Sequence, residues 1–277
     1  MWAKSLIEWT ENRTAYLSVV FTWDLPKAYQ RAAWLREEGY HVIAGGPAVK
    51  LMPDYLADVA EIGGEMDRVL ARHNPEATFT SRGCIRKCKF CAVPKIEGDL
   101  VELEEWEPKP IVCDNNLTAC SWRHFCKVIE RCRNIQGVDF NQGLDSRLLG
   151  QDHADLLAAL DLAVVRLAWD HIDNDPWQAV TFLRRAGIPK HKIRIYVLIG
   201  FDDTPEDALY RLETIRKKGY LPSPQRYNPL DTIERDTYVL SGWSEVELNR
   251  YMRYWARTRF FRSIPFKEFQ YPVGILT

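Results

Sequence analysis

The sequence is short of net charge. Its 37 basic and 38 acidic side chains leave a formal charge of −1. No global field therefore draws it towards nucleic acid or a membrane surface. It has no apolar run long enough to cross a bilayer. No secretory apolar stretch follows Met1-Trp2-Ala3-Lys4-Ser5, so a cytoplasmic, reducing compartment is expected. Internal repeats and low-complexity segments are missing too. Cysteine is absent outside residues 84–132, where all seven lie. An odd number crowded into one stretch suits metal ligands or buried thiols better than a disulfide framework. What is present is apolar weight: 46% of 277 residues are hydrophobic. That supports one large domain, or a barrel with a small appendage.

Three of the cysteines form a compact C-x3-C-x2-C run: Ser81-Arg82-Gly83-Cys84-Ile85-Arg86-Lys87-Cys88-Lys89-Phe90-Cys91-Ala92-Val93-Pro94. A β-like segment, Ala77–Thr80, leads in, and Arg82-Gly83 makes a turn. Thiolates this close can wrap one soft metal centre, zinc or iron–sulfur. Structural zinc wants four protein ligands, so Cys113 or Cys120 would have to join. A [4Fe–4S] cluster on three thiolates leaves one iron open to a small molecule. Phe90 would lie against whatever binds there.

This spacing, with an aromatic residue before the third cysteine, resembles the signature of the radical S-adenosylmethionine (SAM) superfamily. The phrase Ser81-Arg82-Gly83-Cys84, Cys88, Phe90-Cys91-Ala92 looks most like the branch that includes cobalamin-dependent radical enzymes and methylthiotransferases. With Arg226-Tyr227-Asn228-Pro229-Leu230-Asp231-Thr232, the whole pattern also resembles uncharacterised radical SAM proteins of phage and bacterial genomes. The resemblance implies a [4Fe–4S] cluster on Cys84, Cys88 and Cys91, with SAM on the fourth iron. It also implies a reductant partner such as flavodoxin or ferredoxin, and hydrogen abstraction from a substrate. A nucleotide or nucleic-acid base is the candidate substrate. The competing reading is a zinc- or Fe–S-binding nucleic-acid protein without turnover.

Residues 15–49 read as a βαβ unit. Ala15–Thr22 is an apolar run, Asp24-Leu25-Pro26 starts a helix, and Ala28, Ala32 and Leu35 recur at helical spacing. Tyr40–Ala44 is a second strand, closed by Gly45-Gly46-Pro47. The resemblance makes residues 1–75 a reduced, Rossmann-like relic of a cobalamin domain. The Asp-x-His-x-x-Gly ligand loop is missing, since neither His41 nor His73 sits in that context, so no cobalamin is expected. Glu61–Glu65 reads as a glycine-containing turn, and Pro94–Pro110 as a solvated loop. From Pro110, strand and helix signals alternate. The strands are Ile111–Cys113, Val138–Asn141, Leu162–Ala168, Lys192–Ile199 and Pro224–Tyr227, with helices near 121–134, 151–160, 174–186 and 205–218. Alternation predicts an α/β fold with a parallel sheet. The resemblance makes it an open (β/α)6 partial barrel over 76–230, followed by a C-terminal helical extension, 231–277.

Ligands of parallel α/β folds bind beyond the carboxyl ends of the strands. That rule selects Asp114-Asn115-Asn116, then Gln142, Asp145 and Arg147, then Arg166 within its apolar run, then Gly200, then Gln225, Arg226, Tyr227 and Asn228. Asp114, Asn115 and Asn116 suit an ammonium group, or else satisfy backbone at a turn. Arg147 can fork a carboxylate or pair with Asp145. Arg166 needs a partner, either an anion or Asp170 or Asp145. His171 is a proton carrier or a loop histidine. By the resemblance, Phe90, Asp114, Asn115, Asn116, Gln142, Asp145, Arg147, Arg166 and Gly200 hold SAM, and Arg226 and Tyr227 face substrate. Cys113, Cys120, Cys126 and Cys132 read as buried thiols. Ser244-x-x-Glu247 is a capping box. Arg250, Tyr254, Arg257 and Phe261 follow one stripe, which suits either a solvated face or a phosphate backbone with stacked bases.

Overall fold

The computed structural model describes residues 2–63 and 69–270; Gly64 and Glu65 of the expected turn lie outside them. The chain divides into two compact units. The first comprises residues 1–78, 83–99 and 228–235, and the second 79–82, 100–227 and 236–277.

The first unit holds a four-stranded sheet of β1 (Leu6–Glu11), β2 (Thr14–Val19), β3 (His41–Gly45) and β4 (Glu61–Ile62), in that order. β1 and β2 form an antiparallel hairpin, whereas β2, β3 and β4 run parallel. The hairpin was not expected from the sequence. Its turn residues Asn12 and Arg13 both have positive φ, 47° and 62°, the primed-turn geometry that matches strand twist. Helix α1 (Leu25–Glu37) crosses from β2 to β3 and buries Leu25, Ala28, Ala32 and Leu35 as one face, which makes the expected βαβ unit. Pro47 opens α2 (Pro47–Leu51). α3 (Val69–His73) carries the buried His73, whose Nε2 lies 2.9 Å from Ser18 Oγ. Burial pushes its pKa down. His41 pairs instead with Glu61 on the exposed side. β5 (Ala77–Thr78) and α4 (Val93–Ile96) complete the named elements of this unit.

The second unit adds β6 (Ser81–Arg82), β7 (Val101–Glu102), β8 (Ile111–Val112), β9 (Val138–Phe140), β10 (Leu162–Ala168), β11 (Ile193–Ile199) and β12 (Leu221–Arg226). Its helices are α5 (Trp122–Cys132), α6 (Gln151–Ala158), α7 (Trp177–Arg185), α8 (Pro205–Lys217), α9 (Glu245–Trp255) and α10 (Thr258–Ser263). A six-stranded sheet runs in the order β12-β11-β10-β9-β8-β5. The registers of β8 with β9, β9 with β10, β10 with β11 and β11 with β12 are parallel. Strand and helix positions follow the sequence alternation. β12 begins at Leu221 rather than Pro224, and it tolerates Pro222 and Pro224 because it is an edge strand, where a missing N–H breaks no ladder. The segment 94–110 is not one solvated loop, since it contains α4 and β7. No helix among the described residues is long and apolar enough to cross a membrane.

The core of this unit joins one face of the sheet to its helices through Val138, Phe140, Leu162, Val165, Leu167, Ile193, Ile195 and Val197. Alternation turns Asp139, Arg166, Arg194 and Tyr196 to the other face. α9 runs from the carboxyl ends of β11 and β12 towards their amino ends. Leu248 packs near Gly200 and Asn249 meets Arg226. Trp255 shares a groove with Arg194 and Leu221.

Candidate metal centre and strand-end site

The cysteine loop, residues 83–99, is shaped by main-chain bonds. Gly83 has φ 70°, and a Cβ there would run into the Asp99 carbonyl, so only glycine fits. Its N–H donates to Glu97 Oε2 at 2.8 Å, and Cys84 N–H donates to the Gly98 carbonyl at 3.2 Å. The backbone thus turns back on itself just where the first thiol is presented. Cys91 N–H donates to the Cys88 carbonyl at 3.0 Å, and α4 follows at once. Arg86 N–H points at Cys84 Sγ, 3.3 Å away. Such N–H···S bonds suit a sulfur that carries charge. Cys84, Cys88 and Cys91 are half-buried thiols, as is the ring of Phe90. Among the described residues, no three His, Cys, Asp or Glu side chains converge as a ligand group. The donor chemistry fits a soft metal centre: three thiols on one short loop, with a backbone donor already aimed at one of them. The side chains are not drawn together around a common point.

The two ends of this loop emerge from a ribbon in the second unit. β6 pairs antiparallel with β7, Ser81 opposite Glu102 and Arg82 opposite Val101. Asp114 grips the first strand of that ribbon. Its Oδ1 accepts from Thr80 N–H at 2.6 Å and from Ser81 N–H at 3.0 Å, and its Oδ2 accepts from the Thr80 hydroxyl. The same hydroxyl lies 3.1 Å from His124 Nε2. Glu102, on the second strand, accepts from Ser121 N–H and Oγ, and Ser121 in turn caps α5. Asp114 is 3% exposed, and burial pushes its carboxyl up against the opposing pull of the Thr80 and Ser81 bonds. Asp114, predicted as a ligand for the SAM ammonium, is therefore engaged in holding the chain three residues before Cys84. Thr80, His124, Glu102 and Ser121 carried no motif, and sequence reasoning missed them.

Asn116 and Asp145 do come together. Asn116 Nδ2 lies 3.5 Å from Asp145 Oδ2, and Thr118 Oγ links both, donating to Asn116 Oδ1 and accepting from Asp145 N–H. Arg147 forks Asp145 at 2.7 and 2.9 Å. This is the local pair the sequence left open. Arg147 and Gln142 are exposed, and Asn115 is half-buried. Arg166 pairs with neither Asp170 nor Asp145. It forks Asp139 on β9 at 2.7 and 2.5 Å and donates to Tyr196 Oη on β11 at 2.7 Å. The Asp139 bonds hold its pKa above the ordinary arginine value. Alternating polar positions in Val-Asp-Phe and Ile-Arg-Ile-Tyr-Val were the available signal.

Beyond β10, Trp169 is buried, and His171 is exposed beside Asp173. Arg211, from α8, is wholly buried. It donates to the Trp169 and Asp170 carbonyls at 2.8 and 2.9 Å and to Asp203. Asp203 also accepts from Gly200 N–H at 2.8 Å. Burial raises the pKa of Asp170 and Asp203, opposed by Arg211. Gly200 sits at φ 75°, where an added Cβ would press on Leu248 at 3.0 Å. Arg226 is buried and turned to α9, donating to Asn249 Oδ1 at 3.0 Å and to the Tyr238 carbonyl at 3.1 Å. Burial lowers its pKa. Tyr227 packs edge-on between Phe201 and Tyr238. Asn228 belongs to the first unit. Cys113, Cys120 and Cys132 are buried thiols and Cys126 is half-buried. Burial pushes Cys113 up to about 12 and Cys132 to about 11, which keeps both protonated and inert. No protein-family model and no curated protein matches the chain.

Proposed function

We propose that this protein is a radical SAM enzyme acting on an anionic, planar substrate of the nucleotide or nucleic-acid-base class, and that its parallel α/β sheet is an open (β/α)6 barrel. The observation that carries the reading is the C-x3-C-x2-C loop on a ribbon-closed excursion beside the first strand of such a sheet. Bound together, a [4Fe–4S] cluster and SAM supply reductive sulfonium cleavage and a 5′-deoxyadenosyl radical. The chain's own residues supply position. Cys84, Cys88 and Cys91 give three thiolates, and Arg86 N–H supports the first of them. Phe90 shields the loop. Asn115, Asn116, Asp145 and Arg147 offer carboxylate, amide and guanidinium groups to the polar ends of SAM. Gly200 lets α9 come close to the end of β11, where Leu248 packs on it. Arg166, fixed by Asp139 and Tyr196, is a rigid, charge-paired donor group on the sheet face opposite the helix-packed core. Tyr227 supplies an aromatic surface to substrate, while Arg226 acts from behind it by holding Asn249 and the Tyr238 carbonyl.

Anaerobic reconstitution tests this. About four irons per chain, with 5′-deoxyadenosine formed from SAM and dithionite, is the expected result. About one zinc per chain and no nucleoside would establish a metal-binding module instead.

A further inference from the structure

The stripe expected from Arg250, Tyr254, Arg257 and Phe261 is not one surface. Arg250 donates to the Phe269 and Phe266 carbonyls at 3.0 and 2.6 Å. Tyr254 and Phe261 are buried. These residues fold the C-terminal segment onto itself. What remains outside is different. Residues 250–267 contain six basic and no acidic side chains, in a chain whose net charge is −1. Arg257, Arg259, Arg262 and Lys267 are all exposed, and none forms an ion pair among the described residues. The Arg257 and Arg259 guanidiniums lie 5.9 and 4.9 Å from the centroid of the same half-buried ring, Phe260. Two like charges gathered on one ring repel each other, and an anion between them relieves that repulsion. Beside them runs a shallow groove of about 100 Å³, lined by Arg194, Ser223, Ala256 and Thr258 among others. It opens at the amino ends of β11 and β12, away from the strand ends where Gly200 and Tyr227 sit.

We propose that this α9–α10 corner is a docking surface for single-stranded nucleic acid, separate from the candidate active site. Arg257, Arg259 and Arg262 hold successive phosphates as forks, and Phe260 offers a ring to a base. A lipid surface fits less well. An interfacial helix needs an exposed apolar face, and here Phe261 is buried against Trp255. The proposal does not depend on the metal reading, so apo protein suffices to test it.

The test is fluorescence anisotropy with a labelled single-stranded DNA and its RNA counterpart across a salt series. Wild type should bind with affinity that falls as salt rises. The triple variant Arg257→Ala/Arg259→Ala/Arg262→Ala should bind at least about tenfold more weakly, with a log–log salt slope reduced by about 2, as loss of three phosphate contacts requires. The matching Lys triple keeps the charge and loses the forks, so it should retain the wild-type salt slope and bind more tightly than the Ala triple but more weakly than wild type. Phe260→Ala should weaken binding by about fivefold or more. Salt-independent binding would overturn the proposal. So would an Ala triple that keeps its circular dichroism spectrum and binds as wild type does. Tighter capture by phosphatidylserine vesicles than by either oligonucleotide would also overturn it, as would equal competition by polyglutamate.

Discussion

The cysteine loop, residues 83–99, is shaped largely by main-chain hydrogen bonds and one obligatory glycine, whereas the ribbon of β6 and β7 adds side-chain bonds to its main-chain pairing. In the cysteine loop, main-chain bonds join Cys84 to Gly98 and Cys91 to Cys88. At its base, Asp114, Thr80, His124 and Glu102 spend nearly all their polar capacity on the chain itself. A segment shaped by backbone can change its side chains and keep its path. One shaped by buried carboxylates cannot. The base is therefore the region that a side-chain substitution disturbs most.

The largest effect is expected at Arg211, which ties strand ends together by its side chain as Asp114 ties the ribbon. Arg211→Ala removes a wholly buried cation and strands Asp203 and Asp170. It should cost about 3–5 kcal/mol of stability by urea unfolding. A loss under about 1 kcal/mol would mean that the buried network is not what holds the strand ends. Asp114→Ala comes next. Two N–H groups and a hydroxyl lose their acceptor, which should cost about 1–3 kcal/mol and raise hydrogen exchange at residues 79–82. Asp114→Asn keeps one acceptor oxygen and should recover part of the loss. Unchanged exchange in both variants would show that the ribbon needs no grip.

The thiols sharpen the contrast by pH. Burial raises Cys113 from 9.0 to about 12. The folded state therefore holds its proton longer than the unfolded chain does. That stability is complete below pH 9 and is lost as pH rises from 9 towards 12. At pH 10 the effect is about 1 kcal/mol. Urea midpoints at pH 8 and 10 should fall less in Cys113→Ala than in wild type; equal falls in both would place Cys113 in contact with water. Cys88→Ala, by contrast, should leave stability within about 0.5 kcal/mol and abolish iron uptake on reconstitution. The smallest effect belongs to Arg147→Ala, about 0.5 kcal/mol, because its partner Asp145 is buried but Arg147 itself faces water. A larger loss in SAM affinity than in stability, measured by calorimetry on reconstituted protein, would assign Arg147 to the ligand.

Much of this architecture was legible because it is local. The apolar runs and turn residues from Ala15 to Ala44 and from Ile111 to Ile199 announce strands and helices, and Thr204-Pro205-Glu206-Asp207 caps α8 as its chemistry dictates. The ribbon of β6 and β7 was not legible. Ser81-Arg82 and Val101-Glu102 carry no strand pattern, and what fixes one of them is a carboxylate more than thirty residues away in the chain. The strand-end arginines show the same limit. The sequence marks Arg166 as needing a partner, but register decides that Asp139 supplies it rather than Asp170. Arg226 follows Gln225 on β12, so the two point to opposite faces. Only the packing of α9 shows that Arg226 takes the helix-covered side.

The ribbon also bears on how a metal would be captured. Bringing the ends of a loop of this length together costs about 2.5 kcal/mol of chain entropy. β6 and β7 close it when the protein folds, before any metal arrives. The three thiols then sit on a loop whose ends are already joined, although their side chains are not gathered round one point. Once the first sulfur is engaged, the other two bind at a high effective concentration set by the closed loop. Loosening the ribbon should therefore slow the later steps of metal loading more than the first, even with all three cysteines intact.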